Sequence, residues 1–161
     1  MLEHQDLAIE VLERCKAAGL MLATVESCTG GMVAAALTDI PGSSAVVERG
    51  FVTYSNEAKS ALVGVPMELI LEHGAVSEPV ARAMVEGALA HAPVDLAVGV
   101  TGIAGPGGAT PTKPEGLVHF AAARRGRETT HVAIEFGALG RAVVRDHSVF
   151  QALKMLRDAA T

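Results

Sequence analysis

Twice in this sequence a short apolar run stops in a glycine cluster. Leu20–Val25 runs into Glu26-Ser-Cys-Thr-Gly-Gly31, and Val94–Val100 runs into Thr101-Gly-Ile-Ala-Gly-Pro-Gly-Gly108. Short apolar runs bounded in this way read most simply as strands buried on both faces. The chain has 17 glycines, too many for a helical bundle. They fit a fold whose strands and helices meet at tight turns.

The remaining patterns fill in an alternation of strands and helices. Ala8, Val11, Leu12 and Cys15 stand at helical spacing over 5–18, with Gly19 to end that helix. Met32–Leu37 reads as a helix stopped by Pro41-Gly42, Val46–Tyr54 as a strand, and 56–63 and 66–73 as short helices. Ser77 is placed to cap a helix with Glu78 and Pro79 in its first turn, and Val80 through Leu89 keep one face apolar. Leu117–Ala123 and Thr130–Phe136 read as a hairpin around Arg124–Glu128. A last helix over 141–159 is expected to bury Val144, Phe150, Leu153 and Leu156. The fold expected is α/β: a three-layer α/β/α sandwich with a mixed sheet, one domain over residues 1–161.

Composition excludes several functions. The net charge of -5 offers no basic stripe to nucleic acid. No run is long enough to cross a bilayer. Two cysteines, Cys15 and Cys28, make no disulfide framework and suit a reducing compartment. Met1–Asp6 lacks the basic and apolar regions of a leader, so the chain reads as soluble and cytoplasmic. Histidines 4, 73, 91, 119, 131 and 147 show no metal-ligand spacing, and neither a metal nor another cofactor is expected.

Three segments could carry chemistry. Glu26–Gly31 joins a strand to a helix, where a helix N-terminus can hold an anion or a developing oxyanion. Ser27 and Cys28 both stand there as possible nucleophiles, although an ordinary turn capped by Thr29 would need the same residues. Ser27 lacks the G-x-S-x-G frame of a hydrolase elbow. The loop from Thr101 to Gly108 lets backbone approach a ligand, with Thr101, Gly102 and Gly105 nearest the strand. It is no P-loop, because Gly108 and Ala109 stand where Lys and Ser/Thr are required. Tyr54-Ser-Asn56, with Lys59 a turn on, could converge on Ser27 if the two strands are neighbours. A lysine with a lowered pKa serves as general base to a hydroxyl. Arg141 and Arg145, one turn apart, could clamp a phosphate.

Taken together, Glu26–Gly31, Gly50–Asn56 with Lys59, Gly74–Ser77, Val100–Gly108 and Lys113-Pro114 resemble the CinA C-terminal domain family over nearly the whole chain. The resemblance implies an α/β/α sandwich that assembles as a dimer or larger homo-oligomer. It also implies deamidation of nicotinamide mononucleotide by Ser27, Tyr54 and Lys59. Glu26, Thr29, Gly30, Gly31, Asn56, Thr101, Gly102, Gly105 and Arg145 are then the residues expected around the substrate. Longer members carry a separate nucleotide-hydrolysing domain ahead of this one, whose activity is not carried over. Ala109 and Glu115 depart from the family pattern. The expected mechanism has Lys59 take the Ser27 proton directly or through Tyr54, with backbone N–H groups of Thr29–Gly31 holding the oxyanion. The alternative is a non-catalytic module that senses nucleotides or binds a partner in competence or DNA-damage responses.

Overall fold

The computed structural model describes residues 4–161; Met1–Glu3, part of the segment read for a leader, lie outside the described residues. In chain order the elements are α1 (Gln5–Ala18), β1 (Leu22–Glu26), α2 (Met32–Thr38), a 3-10 turn (Ser43–Ala45), β2 (Val47–Val52), α3 (Asn56–Val63), α4 (Met67–His73), α5 (Glu78–His91), β3 (Leu96–Gly102), β4 (Leu117–Arg124), β5 (Thr130–Glu135) and α6 (Arg141–Ala159). The five strands form one mixed sheet in the order β2-β1-β3-β4-β5. β1 pairs in parallel with β2 and β3, and the β3–β4 and β4–β5 pairs are antiparallel.

Alternation along the strands builds the three layers. Leu96, Val98 and Val100 of β3 and Val118, Phe120 and Ala122 of β4 pack under α1, α2 and α6. Val25, Ala97, Ala121 and Ala123 face α3, α4 and α5 on the other side. Two glycines permit close approach there. A Cβ on Gly87 would lie 1.9 Å from the Val63 carbonyl oxygen, where α3 crosses α5. A Cβ on Gly99 would lie 2.8 Å from Val85 Cγ1, so the bare strand lets α5 settle onto the sheet.

Four sequence expectations need adjusting. Leu20 belongs to the end of α1, where Gly19 at φ 69° closes a reverse turn and the Leu20 N–H donates to Cys15 O at 2.8 Å, so β1 starts two residues later. β3 likewise begins at Leu96 and runs through Gly102. Ser77 does not cap α5: its hydroxyl turns back to donate to Gly74 O at 2.8 Å. Phe150 is 42% exposed because α6 lies over β3 and β4 and stops short of β5, leaving this residue at the open flank. No helix among the described residues is long and apolar enough to cross a membrane.

Candidate active site

Parallel pairing of β2, β1 and β3 brings the carboxyl ends of all three to one edge of the sheet, the usual ligand side of an open α/β fold. Ser27 follows β1 directly. Its N–H donates to Val100 O at 2.9 Å on one side, while Thr53 N–H donates to Glu26 O at 2.8 Å on the other. The serine therefore sits between the ends of β2 and β3. Helix α3 begins at Asn56, capped by the Ser55 hydroxyl, which accepts from Ala58 N–H at 3.0 Å. One turn in, Lys59 reaches back beneath the end of β2.

Lys59 is 1% exposed. Its Nζ lies 3.2 Å from Ser27 Oγ, 2.8 Å from Thr53 O and 3.4 Å from Tyr54 O. Among the described residues no carboxylate pairs with it. Burial holds the lysine pKa below its ordinary value. A neutral amine has two N–H groups, enough for the two carbonyls, and a lone pair left for the Ser27 proton. The arrangement is a serine–lysine pair held by main-chain acceptors.

The other candidates separate into two groups. Ser27, Tyr54, Asn56, Lys59, Thr101 and Gly102 line one open cleft of 210 Å³, together with Cys28, Ala75, Val76, Ala104 and Arg141. Two roomier hollows of 360 and 460 Å³ lie along β5 and α6, and neither is lined by a serine or cysteine. Thr101 is buried, its hydroxyl donating to Ala75 O at 2.9 Å, which ties the loop before α5 to the cleft wall. Gly102 lies against Val118, leaving 2.6 Å between a Cβ there and Cγ2 of that valine.

Glu26, Thr29, Gly30, Gly31, Gly105 and Arg145 lie outside the lining. The Glu26 carboxylate turns into the N-terminus of α2, accepting from Thr29 Oγ1 at 2.6 Å, Val33 N–H at 2.9 Å and Ala34 N–H at 3.0 Å. Gly30 N–H is donated to Ser27 O at 3.0 Å and Met32 N–H to Thr29 O at 3.0 Å. The Val33 and Ala34 N–H groups at the start of α2 are thus taken by the chain's own carboxylate, and Gly30 N–H is taken by Ser27 O. Gly30 and Gly31 have φ of 58° and 108°, the left-handed turn that allows this wrap. Arg145 donates from Nε to Cys28 O at 3.0 Å and from Nη2 to Thr29 O at 3.4 Å, so it holds the loop from behind.

Tyr54 is 60% exposed, and its hydroxyl accepts from Arg141 Nη2 at 2.9 Å. It is the Tyr54 main-chain oxygen that faces Ser27, at 3.5 Å from Oγ. Arg141 also donates to Gly105 O at 3.0 Å and lines the mouth of the cleft. Its pairing with Arg145 in the sequence gave the only hint of it; the turn between them sends one into the cleft and the other behind the loop. Cys28 is 5% exposed, and desolvation pushes its thiol up to about 11, so it stays protonated at neutral pH. Glu115, the departure noted in the loop, accepts from Gly107 N–H at 2.5 Å.

The family model for the CinA C-terminal domain matches residues 4–160. The chain belongs to that family. CinA-like proteins of Anaeromyxobacter sp. (strain K) and Synechococcus sp. (strain CC9902) are each 50% identical to it, over 147 and 157 residues. The alignments cover 91% and 96% of this chain but 36% and 37% of those proteins, so the chain spans about a third of the length of these CinA-like relatives. Among solved structures, the competence/damage inducible protein CihA from Agrobacterium tumefaciens superposes with a TM-score of 0.94 at 47% identity, covering 97% of this chain and 94% of that one. The competence damage-inducible protein A from Klebsiella pneumoniae gives 0.91 at 39% identity, covering 96% and 94%. The α/β/α sandwich with a mixed sheet is the fold of these CinA structures.

Proposed function

We propose that this CinA-family chain is an amidohydrolase that converts nicotinamide mononucleotide to nicotinate mononucleotide and ammonia in the cytoplasm, with Ser27 as nucleophile and Lys59 as base. The observation that carries the reading is the buried Lys59 amine at 3.2 Å from Ser27 Oγ, with no counter-carboxylate among the described residues. Neutral Lys59 takes the Ser27 proton as Oγ attacks the carboxamide carbon. Cys28 N–H, next after the nucleophile and bonded to no other residue among those described, would donate to the oxyanion. Protonated Lys59 returns its proton to the leaving ammonia. Water, deprotonated by the same amine, then hydrolyses the nicotinoyl ester on Ser27. The direct route from serine to lysine replaces a relay through Tyr54, whose hydroxyl is turned toward Arg141.

Arg141 supplies the second half of the reading. It is the cation at the cleft mouth, and the Tyr54 hydroxyl and Gly105 carbonyl keep its guanidinium there. An anionic substrate tail would meet it with charge-assisted hydrogen bonds. The carboxamide would enter beside Ser27, with the rest of the nucleotide extending past Asn56 and Tyr54 toward Arg141. The deciding experiment is ammonia release from nicotinamide mononucleotide by the purified protein beside Ser27→Ala. Release that vanishes in the variant, with a nicotinoyl adduct trapped on Ser27 by rapid-quench mass spectrometry, supports the assignment. A folded protein that binds the nucleotide without releasing ammonia is a sensing module instead.

A further inference from the structure

Gly74–Ser77 and Lys113-Pro114 supply none of the reacting groups, yet they meet in the fold. Helix α4 ends at His73, and the turn that follows carries Ala75 and Val76 into the lining of the cleft. Three successive carbonyls there each accept a bond from a side chain. Lys113 Nζ donates to His73 O, the Ser77 hydroxyl to Gly74 O at 2.8 Å, and the Thr101 hydroxyl to Ala75 O at 2.9 Å. Side chains thus hold the main chain where neither helix nor strand does. Of the three, Lys113 comes from the long loop between β3 and β4. Its ammonium sits at the C-terminal end of α4, where unpaired carbonyls favour a cation, and no carboxylate among the described residues pairs with it. A Cβ on Gly74 would lie 2.7 Å from Nζ, so the bare residue leaves the ammonium its place. The loop end of the tether is fixed as well. Thr110 N–H donates to Lys113 O at 2.9 Å, and Lys113 N–H donates to Thr110 Oγ1 at 3.1 Å. The glycine-rich loop is therefore tied to α6 by Arg141, through Gly105 O, and to α4 by Lys113.

We infer that Lys113 is a positioning residue for the aromatic ring of the substrate: by tying the end of α4 to the glycine-rich loop, it fixes the Ala75–Val76 wall of the cleft. This rests on the proposed reading, in which the carboxamide enters beside Ser27. The ring attached to that carboxamide needs an apolar surface, and Ala75, Val76 and Ala104 are the aliphatic residues of the lining. Two of them belong to the turn that Lys113 holds, and the third to the loop from which Lys113 reaches. Lys113 itself is absent from the lining, and its donor is spent on a main-chain oxygen. It therefore acts through the wall, in contrast to Arg141, whose guanidinium lies at the mouth where an anion would meet it. The two cations at the two ends of the loop have different work: one meets charge, the other sets the surface against which the ring lies.

Two substitutions test this. Lys113→Met keeps the aliphatic stem and removes the donor, whereas Lys113→Arg keeps a donor for the carbonyl. Each is measured with nicotinamide mononucleotide and with nicotinamide riboside, by ammonia release and, in a Ser27→Ala background, by titration calorimetry. Lys113→Met is expected to raise KM and weaken binding about 10-fold, the low end of what one misplaced apolar contact is worth. The factor should be the same for both compounds, with kcat held within about threefold, the pattern of a lost ground-state contact. Lys113→Arg is expected to recover most of the loss. A loss confined to the phosphorylated compound makes Lys113 an anion contact and overturns the inference. So does unchanged affinity in Lys113→Met, or a Lys113→Arg protein no better than Lys113→Met. A wild type that binds the nucleotide without releasing ammonia refutes the hydrolytic reading alone, because the binding measurement still reports on the wall. Absence of binding by the wild type and by Ser27→Ala overturns both.

Discussion

Replacing Lys59 separates a proton acceptor from a packing residue. Its Nζ has three neighbours: Ser27 Oγ at 3.2 Å, Thr53 O at 2.8 Å and Tyr54 O at 3.4 Å. Lys59→Met fills the same space with no proton acceptor, and Lys59→Arg keeps donors but stays charged. A positioned general base is worth about 10²- to 10⁴-fold in rate. That range corresponds to roughly 3 to 5 kcal/mol of barrier. Both variants should therefore lose about 10²- to 10⁴-fold in kcat for ammonia release, measured by a coupled assay, with KM little changed. The wild-type kcat/KM should rise with pH through the depressed Lys59 value and level off below the ordinary lysine value of 10.5. Stability should follow the same group. Between the folded value and 10.5 the unfolded chain holds a proton that the folded chain has released, so stability relative to Lys59→Met climbs with pH across that window. Below the folded value the difference is level. A Lys59→Arg protein with more than a tenth of wild-type kcat, or a wild-type profile without the alkaline rise, would refute the reasoning.

Four further outcomes are expected. Glu26→Ala strips the acceptor from Val33 and Ala34 N–H and should cost about 2 to 4 kcal/mol in urea unfolding, with activity falling as the serine loop loosens. Arg141→Ala should raise KM for nicotinamide mononucleotide about 10- to 100-fold while leaving nicotinamide riboside nearly unchanged, because one charge-assisted contact is worth roughly 1.5 to 3 kcal/mol. Cys28→Ala should keep activity within about threefold in the same assay, since a thiol held near 11 is no nucleophile at neutral pH and its loss removes only a small packing group. Gly87→Ala forces a methyl to 1.9 Å from the Val63 carbonyl and should destabilise by at least about 3 kcal/mol, seen as a lowered Tm.

Much of this architecture is legible in the residues, for identifiable reasons. Helices α1, α3 and α6 have the bounds expected from the sequence, and α1 and α3 stop at Gly19 and Gly64, whose left-handed backbone cannot continue a helix. The start of β1 drifts by two residues where Leu20 is recruited into a helix cap, and both ends of β3 lie two residues later than expected, its last residues reaching into the glycine-rich loop. At the site, the convergence of Lys59 on Ser27 follows from β2 neighbouring β1, which the sequence presents only as a condition. Side-chain direction is what the sequence conceals. Glu26, Tyr54 and Arg145 all lie in the motif region, yet one caps a helix, one holds an arginine and one braces a loop. Spacing along the chain carries no record of those choices, because each depends on where a neighbouring element ends.

The cleft also divides the chain. Ser27 and Lys59 come from the β1–α2–β2–α3 unit, and Thr101, Gly102 and Arg141 come from β3 and the start of α6. On the proposed reading both reacting groups come from the first stretch, while the second adds Arg141 and the Thr101–Gly102 wall, and the two meet across the β1–β3 seam and through the Tyr54–Arg141 hydrogen bond. On that reading, substitutions at Arg141 are expected to retune which substrates are accepted while the reacting pair stays as it is. Exchanging one half between relatives should consequently transfer preference for a substrate without transferring, or destroying, the reaction itself.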